Sequence, residues 1–200
     1  MRLLRRRRYR LHPRWRSVDD LMDHYRNGDG LLAVDLGSGY YAPEDFIGVD
    51  DMIGVASQLP NEDNAPDLYV DLNAQPLPLP DSSCWEIRAS HFLEHSHLDH
   101  IFDEVFRLLI PSGTFHFAVP YANSPEGMFP GHQIFLTERF FHENLRFQKL
   151  FSIERELFDP GPVWDEVPEA LKEQLPFDVA RQVLFGVCNQ MRVWATPKKV

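Results

Sequence analysis

Residues 31–39 read Leu-Leu-Ala-Val-Asp-Leu-Gly-Ser-Gly, an apolar run that ends in an acid and continues into two glycines. A short, continuous apolar run is typical of a strand that is buried on both faces of a parallel sheet. The glycines predict a turn whose backbone can approach a ligand closely and can offer N–H groups to an anion. The stretch therefore predicts a central strand of an α/β sheet with a binding loop at its carboxyl end.

Similar strand patterns recur along the chain. Further strands are predicted at 46–50, 68–71, 84–89, 114–119, 150–157 and 183–195. Helices are predicted at 17–25, 98–109 and 169–175, and one more begins after Thr137. This alternation predicts an α/β fold, a doubly wound and mainly parallel sheet with an antiparallel edge strand. Only eleven residues separate Asp35 from Ile47. A helical crossover usually needs a dozen or more residues, so a helix there should be one turn or absent.

Polar residues stand at the ends of these predicted strands. The ends carry Asp35-x-Gly37-x-Gly39, Asp50-Asp51, Asp71, Ser90-His91 and Pro120-Tyr121. In a doubly wound sheet, ligands bind beyond the carboxyl ends of the strands, where the strand order reverses. The carboxylate of Asp50 can accept both hydroxyls of a ribose, and that of Asp71 can accept a proton from an adenine amino group. The strand ends therefore predict a nucleoside site beside an anion site.

The sequence resembles the class I S-adenosylmethionine (SAM)-dependent methyltransferases, specifically their small type 11-like branch. The resemblance rests on residues 34–39, 46–50, 71–73, 76–83, 87–95, 104–113 and 132–135, in this order. It covers roughly residues 31–141 and implies a Rossmann-like methyltransferase fold. The sequence departs from the family pattern at Tyr41, near which a third glycine is expected.

The resemblance implies SAM as the cofactor and assigns residues to each part of it. Gly37 and Gly39 would hold the methionyl part, and Asp35 would meet its ammonium group. The remaining implied contacts are Asp50 with the ribose hydroxyls, Met52 with the adenine face, Asp71 and the backbone of Leu72 with the adenine edge, and Ser90 and His91 with the methyl region. An acidic pocket also suits a cationic cofactor.

The expected function is SAM-dependent methyl transfer to an acceptor that the sequence does not identify. If the acceptor is a hydroxyl or an amine, His91 is the best-placed candidate base, with Glu94 or His95 behind it. The predicted acceptor pocket comprises the loop 121–131 with His132, Phe135, Phe140 and Phe141. The alternative is a catalytically degenerate protein that keeps the fold as a binding or assembly module.

Two other motifs compete with this interpretation. Gly37-x-Gly39-x-x-Ala42 also satisfies a dinucleotide fingerprint, but Asp50 comes too early for the acid of that motif. His91-Phe92-Leu93-Glu94-His95 matches H-x-x-E-H, an inverted zincin pattern. That motif belongs in the middle of a helix with a distant third ligand, whereas His91 ends a predicted strand, so no metal is expected.

The charge is distributed unevenly along the chain. Residues 1–16 contain eight arginines and no acid, which leaves 12 basic against 30 acidic residues in 17–200. We expect an Arg-rich N-terminal arm, 1–16, followed by a single methyltransferase-like domain, 17–200. Through Arg2–Arg16 the arm could bind a polyanion or an assembly partner; docking on its own acidic body or an assembly contact is preferred over nucleic-acid binding.

The sequence also bounds where the protein is expected to work. No run approaches the roughly 18–20 apolar residues of a membrane span, and the Arg-rich start lacks the apolar part of a signal peptide. Two cysteines, Cys84 and Cys188, are too few for a disulfide framework. These features together favour a cytoplasmic protein.

Overall fold

The computed structural model describes residues 9–52 and 65–199. Its strands are β1 (Arg10–Leu11), β2 (Leu32–Leu36), β3 (Ile47–Asp50), β4 (Leu68–Tyr69), β5 (Cys84–Ser90), β6 (Leu109–Pro120), β7 (Phe151–Pro160) and β8 (Cys188–Pro197). Its helices are α1 (Val18–Tyr25), α2 (Leu98–Leu108), α3 (Glu138–Glu143), α4 (Leu145–Leu150), α5 (Pro162–Glu166), α6 (Glu169–Gln174) and α7 (Phe177–Val183). A 3₁₀ turn, Leu93–His95, lies between β5 and α2. In the described part of the chain, no helix is long and apolar enough to cross a membrane.

The strands form one sheet in the order β1-β4-β3-β2-β5-β6-β8-β7. Strands β2 to β6 are mutually parallel where they pair, whereas β8 is antiparallel to both β6 and β7. The sheet confirms the predicted mainly parallel α/β fold with antiparallel strands at its margin. Because β2 lies between β3 and β5, the strand order reverses there, and the carboxyl ends of these strands form the switch point.

The structure also corrects several predicted boundaries. Strand β6 begins at Leu109 instead of Thr114, because the chain leaves α2 in extended conformation and Leu109 pairs with Cys84. Strand β8 begins at Cys188 instead of Val183, because Val183 ends helix α7 and the chain then turns through the left-handed Gly186, with φ 76°. The crossover from β2 to β3 contains no helix, as its length predicts.

Phenylalanines fill the core beneath β6. Phe102, Phe115, Phe117, Phe141, Phe147 and Phe151 are completely buried. The ring centroid of Phe141 lies 4.8 Å from that of Phe117 and 5.3 Å from that of Phe147. The prediction that Phe141 lines the acceptor pocket is therefore wrong, since its side chain packs in the core.

The described end of the Arg-rich segment contacts the sheet. Arg10 and Leu11 form β1, which pairs antiparallel with β4. The carboxylate of Asp67 is buried and accepts hydrogen bonds from Arg14 Nε at 3.1 Å, Trp15 Nε1 at 2.6 Å and the Gly48 amide at 2.9 Å. Residues 9–16 are thus held by the domain, whereas Arg2 and Arg5–Arg8 lie outside the described residues.

Candidate functional site

The predicted site residues follow β2, β3, β4 and β5 at the carboxyl edge of the sheet. The turn after β2 uses two left-handed glycines, Gly37 with φ 66° and Gly39 with φ 52°. A Cβ atom at Gly37 would lie 2.4 Å from Cδ2 of Phe92, so the absence of a side chain lets the Phe92 ring pack directly on the turn. The glycine is therefore required by close packing as well as by its dihedral angle.

The amide groups of this turn are already hydrogen-bonded within the protein. The N–H groups of Gly37 and Ser38 donate to the Val49 carbonyl at 2.8 and 3.1 Å. The Gly39 N–H donates to Asp50 Oδ2 at 2.9 Å. The three amides expected to receive an anion thus join the turn to β3, and they are not free to form an anion site in this arrangement.

Asp50 connects the end of β3 to this turn. It is 8% exposed, and its two carboxylate oxygens accept from the amides of Gly39 and Met52. Burial raises the pKa of Asp50, although the two amide hydrogen bonds oppose that rise. A carboxylate has about four lone-pair positions, so Asp50 keeps capacity for hydroxyl donors. Met52 adopts an unusual φ of 64° for a residue with a side chain.

Asp35 is the other buried acid of the site. One oxygen, Oδ2, accepts from Arg88 Nη1 at 3.1 Å, whereas Oδ1 is buried and has no hydrogen-bond partner among residues 9–52 and 65–199. Burial raises the pKa of Asp35 from 3.8 to about 7; the charge of Arg88 lowers it and that of Asp50 raises it further. A buried carboxylate oxygen without a donor is costly, and a cationic or N–H-bearing ligand would satisfy it. This observation fits the ammonium group of SAM.

The predicted adenine-edge residues lie beside this acid pair. The end of β4 is joined to β3 by a hydrogen bond from the Val70 amide to the Asp50 carbonyl, 3.1 Å long. Asp71 is exposed, and its side chain accepts from the Asn73 amide at 3.0 Å, while Leu72 is buried. Asp71 and Leu72 therefore directly follow the residue that is hydrogen-bonded to Asp50.

His91 follows β5 in a left-handed conformation, with φ 52°. Its Nε2 lies 3.0 Å from Gln190 Oε1, and its Nδ1 lies 3.7 Å from Glu94 Oε1. His91 directly follows Ser90 in the sequence, and its ring is exposed. Gln190 belongs to β8, 99 positions away, and no sequence pattern marks this contact.

Glu94 and His95 lie in the turn behind His91. Glu94 is 2% exposed, and burial raises the pKa of its carboxyl from 4.5 to about 7. Burial lowers the pKa of His95, whose Nδ1 lies 3.1 Å from the Gly131 carbonyl. Of the two groups predicted behind His91, Glu94 approaches its ring, whereas His95 contacts the loop that contains Gly131.

An open depression of about 350 Å³ lies beyond the end of β6. It is lined by Tyr121, Ala122, Asn123, Thr137, Glu138, Arg139 and Gln182. The Tyr121 hydroxyl donates to Glu138 at 2.9 Å, and Arg181 donates to both residues, at 3.0 Å to the tyrosine and at 2.6 Å to the glutamate. The start of the predicted acceptor loop thus forms a wall of this depression. Arg181 is not among the residues predicted from the sequence, because it lies in α7, for which no helix is predicted.

The comparison with protein families identifies the domain that carries this site. Residues 27–117 match the family described as "Methyltransferase domain". This segment is thus similar to methyltransferase domains. Enzymes with this domain take the methyl group from SAM, and the predicted glycine turn, Asp35 and Asp50 all fall within the matched residues. No curated protein sequence matches the chain significantly.

Solved structures show the same methyltransferase fold. A SAM-dependent methyltransferase from Archaeoglobus fulgidus is 16% identical, with a TM-score of 0.59 over 87% of this chain and 89% of that one. The YcgJ protein from Bacillus subtilis is 16% identical, with a TM-score of 0.52 over 85% and 92%. A geranyl diphosphate methyltransferase, solved in complex with SAM, is 15% identical, with a TM-score of 0.53 over 89% and 83%. At these identities the likeness concerns the fold.

Proposed function

We propose that the protein transfers a methyl group from SAM, bound across the ends of β2, β3 and β4, to a hydroxyl or amine of an acceptor that enters beside His91. The observation that carries this proposal is the buried Oδ1 of Asp35, which has no donor within the described chain. An ammonium group placed there would satisfy the oxygen and would favour the ionised carboxyl group.

Each acid would bind a different part of the cofactor. Asp35 would accept from the ammonium group, and Asp50 from the ribose hydroxyls while it keeps the glycine turn in place. Asp71 and Leu72 would contact the adenine edge, and Met52 would contact the adenine face. Gly37 and Gly39 would contact the methionyl part through their surface, because their amides are engaged elsewhere.

His91 is the residue that we place at the reacting atoms, beside Ser90. SAM supplies an electrophilic methyl group on a cationic sulfur, whose bonding electrons stay on sulfur when the methyl leaves. The acceptor oxygen or nitrogen forms the new bond to carbon and loses its proton, which the His91 ring takes up. Nε2 of this ring donates to Gln190 Oε1 at 3.0 Å, which orients the ring and leaves Nδ1, 3.7 Å from Glu94 Oε1, to take the proton. Alignment of the two reactants contributes much of the rate in such a transfer.

A calorimetric SAM titration tests the cofactor assignment. We expect Asp50→Asn to weaken SAM binding about tenfold or more, since a hydrogen bond to a charged group is worth about 1.5–3 kcal/mol. Asp45→Asn removes the same charge from an exposed position and should leave SAM affinity unchanged. Equal affinity in the wild type and Asp50→Asn would place the cofactor elsewhere.

Mass spectrometry of hydroxyl- and amine-bearing acceptors then tests turnover. His91→Ala should lower methyl transfer about 100-fold or more with little change in SAM affinity, because a positioned base acts on the chemical step. His97→Ala is the matched control, since that histidine is exposed. Equal loss of affinity and transfer would make His91 a binding residue only.

The alternative, a degenerate binding or assembly module, has one observation in its favour. The crossover after the glycine turn has no helix, so no helix N-terminus supports the cofactor there. SAM binding without transfer to any acceptor would support this alternative, whereas transfer would exclude it.

A further inference from the structure

Three side chains that the methyl-transfer proposal leaves largely unexplained converge beside His91. Glu94 and His95 come from the turn after β5, and His132 comes from the loop after β6. One ligand-type atom of each residue lies within 4.8 Å of those of the other two. His132 Nε2 is 4.0 Å from Glu94 Oε1, and the rings of His95 and His132 meet edge to face with centroids 4.7 Å apart.

In the described part of the chain, neither oxygen of the Glu94 carboxyl group has a hydrogen-bond partner. Its side chain is 2% exposed, so water does not replace the missing donors on an open surface. A buried carboxylate is retained in proteins when it is paired, hydrogen-bonded or bound to a metal. The two neighbouring imidazole nitrogens, on His91 and His132, lie at 3.7 and 4.0 Å, beyond hydrogen-bond distance. An ion between the Glu94 carboxylate and the neighbouring imidazole nitrogens would supply the interaction that the carboxylate lacks.

Both histidines of the cluster have one nitrogen fixed by a backbone carbonyl. Nδ1 of His95 lies 3.1 Å from the Gly131 carbonyl, and Nδ1 of His132 lies 3.2 Å from the Gly127 carbonyl. A carbonyl can only accept, so Nδ1 of each ring carries the proton and Nε2 keeps its lone pair. Metal-binding histidines are characteristically oriented in this way by a carbonyl or carboxylate behind the ring.

We propose that Glu94, His95 and His132 bind a divalent transition-metal ion of the zinc class, with a fourth coordination position left for water or another ligand. One carboxylate and two imidazoles, with an open position, form a known type of zinc site. Ligand bonds of about 2.0–2.2 Å require the three side chains to close by about an ångström, which is within the range of side-chain rotation.

The proposed metal ligands differ from those of the H-x-x-E-H motif in the sequence. In that motif His91 and His95 are the ligands and Glu94 is not, whereas here Glu94 and His95 are joined by a residue 37 positions further on. The distant ligand that the sequence did not reveal is His132. His91 Nδ1 and His132 Nε2 both approach Oε1 of Glu94, so an ion bound through this oxygen would also lie near the His91 ring.

The ion would bridge the turn after β5 and the loop after β6, on the side where the acceptor is proposed to enter. The Leu93–His95 turn is anchored by Leu93, which is fully buried, whereas Gly131 and Phe129 in the loop are exposed. The amides of Gln133 and Ile134, next to His132, already donate to the Glu94 carbonyl at 2.9 and 3.3 Å, so a bond through His132 would reinforce an existing contact between the loop and the turn. This role is independent of whether methyl transfer occurs.

Titration of metal-free, untagged full-length protein with zinc chloride in a calorimeter tests the site. We expect one equivalent to bind, and Glu94→Gln and His132→Ala each to weaken binding about 100-fold or more, since even a residue behind a ligand costs 10–100-fold. His97→Ala, two residues from His95 but exposed, should bind zinc as the wild type does. Circular dichroism of each variant checks that it has folded.

Cobalt substitution and SAM titration complete the design. Cobalt chloride should give the intense visible absorption of a four-coordinate ion in the wild type and in His97→Ala, and should lose it in Glu94→Gln. Absence of zinc binding to the wild type, or equal affinity in all four proteins, would overturn the proposal; the latter result would mark adventitious surface binding. SAM titration of the same samples reports on the cofactor site separately, so failure of either proposal is distinguishable.

Discussion

Asp35 shows how one buried acid makes the stability of the folded protein depend on pH. Its neighbours are Arg88 at 3.1 Å and the charge of Asp50, and burial keeps its pKa at about 7 in the folded protein against 3.8 as its ordinary value. The folded state therefore holds an extra proton between about pH 4 and 7. The stabilisation from this group is fully present below pH 4 and is lost as pH rises through 7.

We predict that Asp35→Asn reduces the fall in unfolding free energy between pH 5 and pH 8. From pH 5 up to the folded pKa of about 7 the unfolded chain has lost this proton and the folded chain keeps it, so two pH units at about 1.4 kcal/mol each should cost the wild type about 3 kcal/mol that the variant keeps. Urea unfolding at both pH values measures this difference. Parallel pH dependence in the two proteins would contradict it.

The glycine turn offers a second test at the residue scale. Gly37→Ala places a Cβ in the Phe92 ring and forces a left-handed dihedral on alanine, so we expect a loss of about 1–3 kcal/mol and weaker SAM binding. Gly28→Ala is the control, because nothing lies within 4 Å of its Cβ and its φ is not left-handed. Thermal unfolding of both variants measures the contrast; similar melting temperatures would refute the packing argument.

At the scale of elements, one buried network joins the end of β6 to α3 and α7. Arg181 is 8% exposed and donates to Tyr121 and Glu138. Burial alone would raise the pKa of Glu138, but the hydrogen bonds from Arg181 and Tyr121 contribute to a net lowering. The depression beyond β6 keeps its shape through this network.

We predict that Arg181→Met destabilises the protein by about 3 kcal/mol, because it leaves the Glu138 charge unpaired. The double variant with Glu138→Gln should recover part of this loss. Arg139→Ala breaks the exposed ion pair with Glu143 and should change stability by less than about 1 kcal/mol. Urea unfolding compares the variants, and equal effects of Arg181→Met and Arg139→Ala would show that the network does not stabilise the fold.

A row of polar and aromatic side chains runs across one face of the sheet. Asp35, Arg88, His116 and Trp194 are paired in register across β2, β5, β6 and β8, and the His116 and Trp194 rings stack with centroids 4.3 Å apart. Arg88, His116 and Trp194 remain half-buried. The length of the crossover was readable from the sequence, but this polar row was not, because it depends on the register of four strands.

At the scale of the whole molecule, the basic segment and the acidic body attract each other. The contacts of Arg14 and Trp15 with Asp67 support docking for residues 9–16. The boundary at residue 16 and the role of Arg2–Arg16 toward a polyanion or an assembly partner remain predictions.

We predict that deletion of residues 1–16 lowers the melting temperature and leaves SAM affinity nearly unchanged. Trp15→Phe removes the hydrogen bond to Asp67 and part of the ring contact with His24 and Tyr25, and it should cost at least about 1.5–3 kcal/mol. Tight RNA or DNA binding that weakens steeply with salt and disappears on deletion would contradict docking as the main role.

The sequence by itself determined the features that depend on neighbouring residues. These are the acids and glycines that end the central strands, the cap of α1 by Ser17, and a β2–β3 connection too short for a helix. Helices α4, α5 and α7, of five to seven residues, escaped prediction because such lengths carry little periodicity.

Only the tertiary structure decided which side chains meet. Asp35 pairs with Arg88 across 53 positions, Glu94 meets His132, and the glycine-turn amides are taken by Val49 and Asp50. Local patterns fix whether a residue is in a strand and whether it is buried. The order and register of the strands fix its partners, and these arise from packing of the entire sheet.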